Sequence, residues 1–308
     1  MATPLRVFVP RETAALSLGG DEVAAGITAA AKAAGRPIEL VRNGSWGMSW
    51  LEPLVEVEID GTRRAFGPVS PDDVASLFEA GFPGDVEHPL ALGPTAAIPY
   101  LAGQERWTFR RTGLVDPLSA DEYRANGGMA GLERAFAIGA DDVIAEVEKS
   151  GLRGRGGAGF PTGIKWKTVA GAKADRKYIA CNADEGDSGT FSDRLLMEGD
   201  PFTLLEGMAI AGFAVGADTG YIYLRSEYPL ARRVLEQALA TAREAGWLGR
   251  DIFGSGFDFD IRLHIGAGSY VCGEETAMLE SLEGRAGLIR ASSRRCPRSR
   301  ACSASPRS

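Results

Sequence analysis

The chain is poor in the side chains that most enzymes use for polar chemistry. Only two histidines, His88 and His264, occur in 308 residues, which leaves little on which to build a histidine acid–base mechanism or a zinc site. Four cysteines, Cys181, Cys272, Cys296 and Cys302, are too few and too scattered for a disulfide framework. They form no C-x-x-C pair, which excludes a self-contained iron–sulfur or zinc site. No apolar run approaches the roughly 20 residues of a membrane span, and the opening MATPLR lacks the apolar core of a secretion signal. A cytoplasmic protein without direct membrane insertion is expected. The net charge is −7 with 24% charged residues, so a nucleic-acid partner has no electrostatic support.

What the chain does have is glycine, 40 residues of it, and a repeated alternation of strand and helix signals. A length of 308 residues suits two domains. Residues 1–105 read as a βαββα unit: RVFVP at 6–10, an alanine-rich helix over 21–34, IELV at 38–41, then two strands flanking the Asp60-Gly61 turn and a closing helix over 71–80. That order suits a thioredoxin-like unit, here without any cysteine, so it offers no redox dithiol and serves as a scaffold or docking module. A linker rich in proline and glycine follows from 83 to about 110. Residues 106–290 alternate helices with the strands 177–181, 219–224 and 259–264, the pattern of a parallel α/β sheet whose polar loops gather at the strand ends.

Three loops carry the chemistry. GLRGRGGAGFPTG, residues 151–163, threads Arg153, Arg155 and, just beyond, Lys165 through glycines, with Phe160 in the middle. Backbone N–H groups and cations suit phosphate oxygens, and the aromatic offers a stacking face. Gly154, Gly156 and Gly159 also satisfy the dinucleotide pattern G-x-G-x-x-G. That pattern needs a strand before it and a helix after it, whereas residues 139–150 read as an amphipathic helix. A flexible linker is the plainer alternative, but linkers lack interleaved Arg, Phe and Trp. CNADEGDSGTF, residues 181–191, sets Asn182, Asp184, Glu185 and Asp187 directly after a strand. Carboxylates there suit ribose, ribityl or flavin hydrogen-bond donors; a Mg²⁺ or Ca²⁺ loop is the alternative. GAGSYVCGEETA, residues 266–277, opens a helix whose first turn holds Glu274 and Glu275, which the helix dipole alone also favours. Cys272 reads as a small buried hydrophobe.

In this order and spacing the three strings resemble the flavin-bearing, NADH-oxidising subunit of respiratory complex I and its relatives, the diaphorase subunits of NAD-reducing hydrogenases and the beta subunit of NAD-dependent molybdenum formate dehydrogenases. Residues 120–290 carry the resemblance. It implies a thioredoxin-like N-terminal unit followed by a Rossmann-like FMN-binding α/β domain, over whose flavin NAD(H) stacks. Gly154, Arg155, Gly156 and the adjoining Gly157 would hold the FMN phosphate region with Lys165 nearby. Asn182 and Asp184 would hold the ribityl chain and ring, and Tyr270, Gly273 and Glu274 would pack around the isoalloxazine. Phe160 would stack on the adenine, while Glu185, Asp187 and Glu275 would border the dinucleotide. Where complex I has a second aromatic against the adenine, this chain has Thr168. Hydride transfer between nicotinamide and FMN needs no protein acid or base, consistent with the scarcity of histidine. Among these relatives, the cysteine-free N-terminal unit resembles that of the formate dehydrogenase beta subunit, which implies iron–sulfur and molybdenum subunits as partners.

The family continues past residue 290 into a flavin-contacting asparagine pair and a domain holding one [4Fe–4S] cluster, whose ligands are absent here. Instead, residues 291–308 are rich in serine and arginine. Written with GC-rich codons, a family-like KPPLPAIEGLFGK segment read one base out of frame translates as SRRCPRSRACSAS, identical to residues 293–305. The expectation is a truncated, frameshifted copy with an aberrant disordered tail over 291–308. On that view Cys296 and Cys302 have no ligand role, and a non-catalytic docking protein is the alternative to an oxidoreductase subunit.

Overall fold

The computed structural model describes residues 4–155, 158–289 and 300–304. The chain divides into two compact units, Met1–Pro117 with Glu198–Asp200, and Leu118–Met197 with Pro201–Ser308.

The first unit begins β1 (Leu5–Phe8), α1 (Thr13–Ser17), α2 (Gly20–Ala33) and β2 (Ile38–Val41), and continues β3 (Val55–Ile59), β4 (Thr62–Phe66), α3 (Asp73–Glu79), β5 (Ala91–Pro94) and α4 (Pro99–Ala102). Its five-stranded sheet runs β2-β1-β3-β4-β5. β1 and β2 are parallel, while β3 is antiparallel to both β1 and β4. A βαβ half joined to a ββα half in this order is the thioredoxin-like layout. Alternation places Val55 and Val57 of β3 with Val7, Val23, Ile27 and Leu77 in one core. The opposite face of β3 buries Glu56, whose carboxylate accepts from the Trp46 Nε1–H at 3.0 Å and the Thr95 hydroxyl at 2.8 Å.

The stretch expected as a linker over 83–110 is built into this unit instead. β5 pairs antiparallel with β4, and Ile98 and Leu101 pack with Met48, Leu54 and Ala65. The division accordingly falls after Pro117 rather than at residue 105. Proline and glycine misled here because Pro94 ends an edge strand and Pro99 opens a helix, two places where a missing N–H costs little.

The second unit runs α5 (Ala120–Ala125), α6 (Ala130–Ile138), α7 (Ala140–Ser150), α8 (Thr162–Ala170), β6 (Lys177–Ala183), α9 (Ser192–Gly199), α10 (Pro201–Val215), β7 (Thr219–Leu224), α11 (Pro229–Glu244), β8 (Asp260–Ile265), a 3₁₀ turn (Tyr270–Gly273), α12 (Glu275–Leu282) and β9 (Arg300–Ala304). The last two residues of α9 belong to the first unit. All strand pairs are parallel, in the order β8-β7-β6-β9. Period-two alternation assigns the faces. Ile179, Cys181, Ala183, Ile222 and Leu224 join the large core with Leu205, Met208 and Leu235, while Ala180 and Tyr223 face Cys272 and Met278. Helices cover both faces, so the domain is a doubly wound, Rossmann-like α/β sheet.

Two charged side chains brace it. Glu206, buried in α10, accepts from the Tyr123 hydroxyl at 2.5 Å and from the Met129 and Leu132 N–H groups at 2.9 and 3.1 Å. It therefore caps α6, whose preceding residue Met129 sits at φ 66°. Lys177 donates to the Ala170 carbonyl at 2.8 Å and the Val215 carbonyl at 3.0 Å, satisfying terminal acceptors of α8 and α10.

The disordered tail expected over 291–308 is corrected for its described part. Residues 300–304 form β9, in parallel register with β6 from Lys177↔Arg300 to Cys181↔Ala304. A serine- and arginine-rich composition limits side-chain burial but not backbone pairing. A strand edge offers a row of backbone N–H and C=O groups that an extended segment of almost any sequence can pair with. The remaining residues of the tail, with Cys296, lie outside the described residues.

Candidate functional site

The sheet order places a topological switch at β6. The chain moves from β6 through β7 to β8 on one side, and β9 lies on the other. In open parallel sheets a crevice for ligands forms beside the carboxyl ends of the strands at such a point. The loops leaving β6, β7 and β8 all start at that edge, and their backbones are stitched together. The Arg225 N–H donates to the Ala183 carbonyl at 3.4 Å, and the Gly266 N–H donates to the Leu224 carbonyl at 2.8 Å.

Asn182, near the end of β6, ties two loops with one amide. Its Nδ2 donates to the Gly273 carbonyl at 2.9 Å, and its Oδ1 accepts from the Asp184 N–H at 3.1 Å. The two loops pass closely here: a Cβ at Gly273 would lie 3.3 Å from the Asp184 carbonyl oxygen, a tight contact that favours glycine. Asp184 has one carboxylate oxygen, Oδ2, that is buried without a hydrogen-bond partner. Burial raises its pKa, the Arg225 guanidinium opposes that shift, and Glu227 adds to it. An orphaned acceptor at a strand-end crevice suits a ligand N–H or O–H.

Glu185, which the resemblance sets at the dinucleotide border, is drawn into the protein. It is 6% exposed, and its carboxylate turns inward to cap α9, accepting from the Asp193 and Arg194 N–H groups at 3.1 and 3.3 Å. The Tyr228 hydroxyl donates to the same carboxylate at 3.0 Å. Asp187 remains exposed, accepting from the Gly189 N–H at 3.1 Å. The Tyr270 ring lies over Gly186, where a Cβ would meet its Cε2 at 2.8 Å, and the tyrosine is 79% exposed. Gly287 packs against Cys272, and the adjacent Leu288 and Ile289 are exposed.

Glu274 caps α12, accepting from the Thr276 and Ala277 N–H groups at 3.0 and 2.9 Å and from the Thr276 hydroxyl at 2.6 Å. Partial burial works against its ionisation, but the Thr276 and Ala277 hydrogen bonds outweigh it and lower its pKa. Glu275 is exposed and lies 3.5 Å from the Lys165 ammonium. Lys165 also sits 5.9 Å from the centre of the Phe160 ring, which is 46% exposed.

The glycine cradle is a short antiparallel hook. The Gly154 N–H donates to the Phe160 carbonyl at 2.9 Å, and the Thr162 N–H donates to the Leu152 carbonyl at 2.8 Å. The Gly154 amide is thus used within the hook, leaving Arg155 exposed at its tip. Gly156 and Gly157 lie outside the described residues. Thr168 donates to the Ile164 carbonyl at 2.8 Å on the exposed side of α8.

Sequence reading missed Arg225 and Tyr228. Arg225 donates to the Glu185 carbonyl and lies over the Tyr228 ring at 4.8 Å. Their signal was positional: RSEY, residues 225–228, directly follows the apolar strand 219–224, as the other two loops follow theirs. Among the described residues, no three of His, Cys, Asp and Glu converge to hold a metal ion, and no helix is long and apolar enough to cross a membrane.

Comparison with known proteins agrees with this architecture. Over 184 residues the chain is 55% identical to the NADP-reducing hydrogenase subunit HndC of Solidesulfovibrio fructosivorans, covering 60% of this chain and 37% of that protein. It is 56% identical over 177 residues to an NADH-quinone oxidoreductase subunit of Rhizobium meliloti, covering 57% and 42%. A longer match, 39% identity over 246 residues, joins it to the NAD-reducing hydrogenase HoxS subunit alpha of Cupriavidus necator, covering 79% and 40%. The chain thus spans about two fifths of the length of these relatives. Among solved structures, an NAD⁺-reducing [NiFe]-hydrogenase in the air-oxidised state aligns with a TM-score of 0.51 at 26% identity, covering 99% of this chain and 51% of that one. Residues 147–299 match the Nuo51 FMN-binding domain, and through them the chain belongs to the complex I 51 kDa family.

Proposed function

We propose that this chain binds FMN and NAD(H) and forms the flavin-bearing part of an NAD-dependent oxidoreductase. The observation that carries this reading is the convergence of the 182–187, 225–228 and 266–275 loops at the carboxyl ends of three adjacent parallel strands, with the unpartnered, buried Asp184 Oδ2 among them. Asp184 would accept from the flavin's N–H or ribityl O–H groups, Arg155 and the hook around it would hold the phosphate, and Phe160 would offer a face to the adenine. FMN, when bound, supplies two-electron exchange with nicotinamide and one-electron exchange with a further acceptor. The protein's own part is to orient: Asn182 fixes the β6 loop against Gly273, and Glu274 fixes the start of α12.

The parent assembly we favour is an NAD-dependent molybdenum formate dehydrogenase of the cytoplasm, with iron–sulfur and molybdenum subunits as partners. The support is the thioredoxin-like unit, which has no cysteine before Cys181. A hydrogenase diaphorase is the second reading, favoured by the 79% of this chain that aligns with the HoxS alpha subunit. The purified chain, mixed with FMN, is expected to show a bound-flavin absorbance spectrum and to reduce ferricyanide with NADH. A chain that neither retains flavin on gel filtration nor oxidises NADH overturns the reading. Co-purification with a molybdenum subunit rather than a nickel–iron one separates the two parents.

A further inference from the structure

Resting on the proposed function, we infer that Arg225 and Tyr228 are positioning residues that clamp the 182–187 loop and keep Glu185 out of the dinucleotide path.

The clamp has two jaws. Arg225 donates from its guanidinium to the Glu185 carbonyl, holding the backbone. Tyr228 donates from its hydroxyl to Glu185 Oε2 at 3.0 Å, holding the side chain. The jaws brace one another, because the Arg225 guanidinium lies 4.8 Å from the Tyr228 ring centre and Arg194 lies 5.7 Å from the same ring. Charge supports the arrangement from both sides. Glu227 accepts from Arg225 at 3.3 Å, and the Tyr228 hydroxyl is pushed up to about 12 by burial first and by Glu185 next, so it stays a donor at physiological pH.

The consequence concerns the ligand side of the loop. Asp187 follows Glu185 by two residues, so fixing Glu185 at its backbone and its carboxylate fixes the approach of Asp187, whereas Asp184 is held separately, its N–H on Asn182 Oδ1 at 3.1 Å. With Glu185 consumed as the cap of α9, one negative charge fewer faces the dinucleotide phosphates. Once released, its carboxylate would add repulsion there and the loop would lose its anchor. A loop that is correctly placed only one time in ten binds its ligand about tenfold more weakly.

The test uses the full chain and Y228F, which keeps the ring and removes only the hydroxyl, beside R225A and R225K. Hydrogen exchange at the Asp193 and Arg194 amides reads the cap directly, FMN fluorescence quenching reads flavin binding, and an NADH titration reads the dinucleotide. Y228F is expected to speed exchange at 193 and 194, to weaken NADH binding about tenfold and to leave FMN binding within twofold. R225K is expected to restore most of what R225A loses. Unchanged exchange at 193 and 194 in Y228F overturns the clamp. Faster exchange with unaltered NADH affinity overturns its role toward the dinucleotide, and equal loss of FMN and NADH reduces Tyr228 to a general support and overturns it as well. A parent chain that binds no dinucleotide sinks the proposed function instead, and is recognised because its exchange pattern still reports the cap.

Discussion

At the residue scale, buried charge does two different jobs in this chain. The buried Glu185 and Glu206 and the partly buried Glu274 meet helix N–H groups, where a carboxylate finds donors and a favourable dipole. Glu52 has fewer donors. Its carboxyl is pushed up from the usual 4.5 to about 7, chiefly by burial, with Glu12 and Glu56 adding to the shift and the Ser45 and Leu54 hydrogen bonds opposing it. A raised folded-state pKa means that the folded chain holds the extra proton. This stabilisation is complete below pH 4.5 and is lost as pH rises through about 7, worth up to about 3 kcal/mol over that window. Chemical denaturation between pH 4.5 and 8 is expected to show it, and Glu52→Gln to flatten it. A second residue-scale expectation concerns Gly186→Ala. Its Cβ would intrude on Tyr270, yet that ring is largely exposed and free to move aside. Stability is expected to change by less than about 1 kcal/mol while flavin or dinucleotide affinity falls. A large loss of melting temperature with intact affinity would show that the contact is structural only.

At the element scale, the helices differ in what holds their ends. α10 is apolar around nearly its whole circumference and buried, as a central helix should be, yet it carries Glu206 into the core. That carboxylate serves Tyr123 and two N–H groups of the α6 start at once. Glu206→Ala is expected to cost about 3–5 kcal/mol, because it leaves three buried donors unmatched. Glu206→Gln, which keeps an acceptor, should recover part of that cost. Urea unfolding of the two variants checks both. Lys177→Met should cost less, about 1–2 kcal/mol, since the carbonyls it serves at Ala170 and Val215 have the looser geometry of helix ends.

For the whole molecule, the proposed ligand contacts all fall within the second unit. FMN at about a hundred times its dissociation constant should stabilise that unit by about 2.7 kcal/mol. The buried Trp247 lies in its core, whereas Trp46 packs in the first unit. Unfolding followed through single-tryptophan variants retaining one or the other should therefore show the flavin-dependent shift at Trp247. No shift at any flavin concentration would count against an FMN site.

The sequence by itself determined seven of the strands, β1 to β4 and β6 to β8, the parallel character of the second unit's sheet, and the chemistry-bearing loops at 151–163, 181–191 and 266–277, because each signal is local: an apolar run with a period, a glycine string, a carboxylate after a strand. It also determined the absence of a cysteine-ligated centre from the first unit, since composition alone settles that. Only the tertiary structure decided which way the carboxylates point. Glu185, Asp187 and Glu275 look alike in the chain, but one caps a helix inside, one lies exposed, and one faces Lys165. Arg225 and Tyr228 escaped notice for the same reason, since their partners lie some 40 residues away. The strand at 300–304 was hidden because strand pairing runs through backbone groups that every residue carries, so no side-chain pattern announces it.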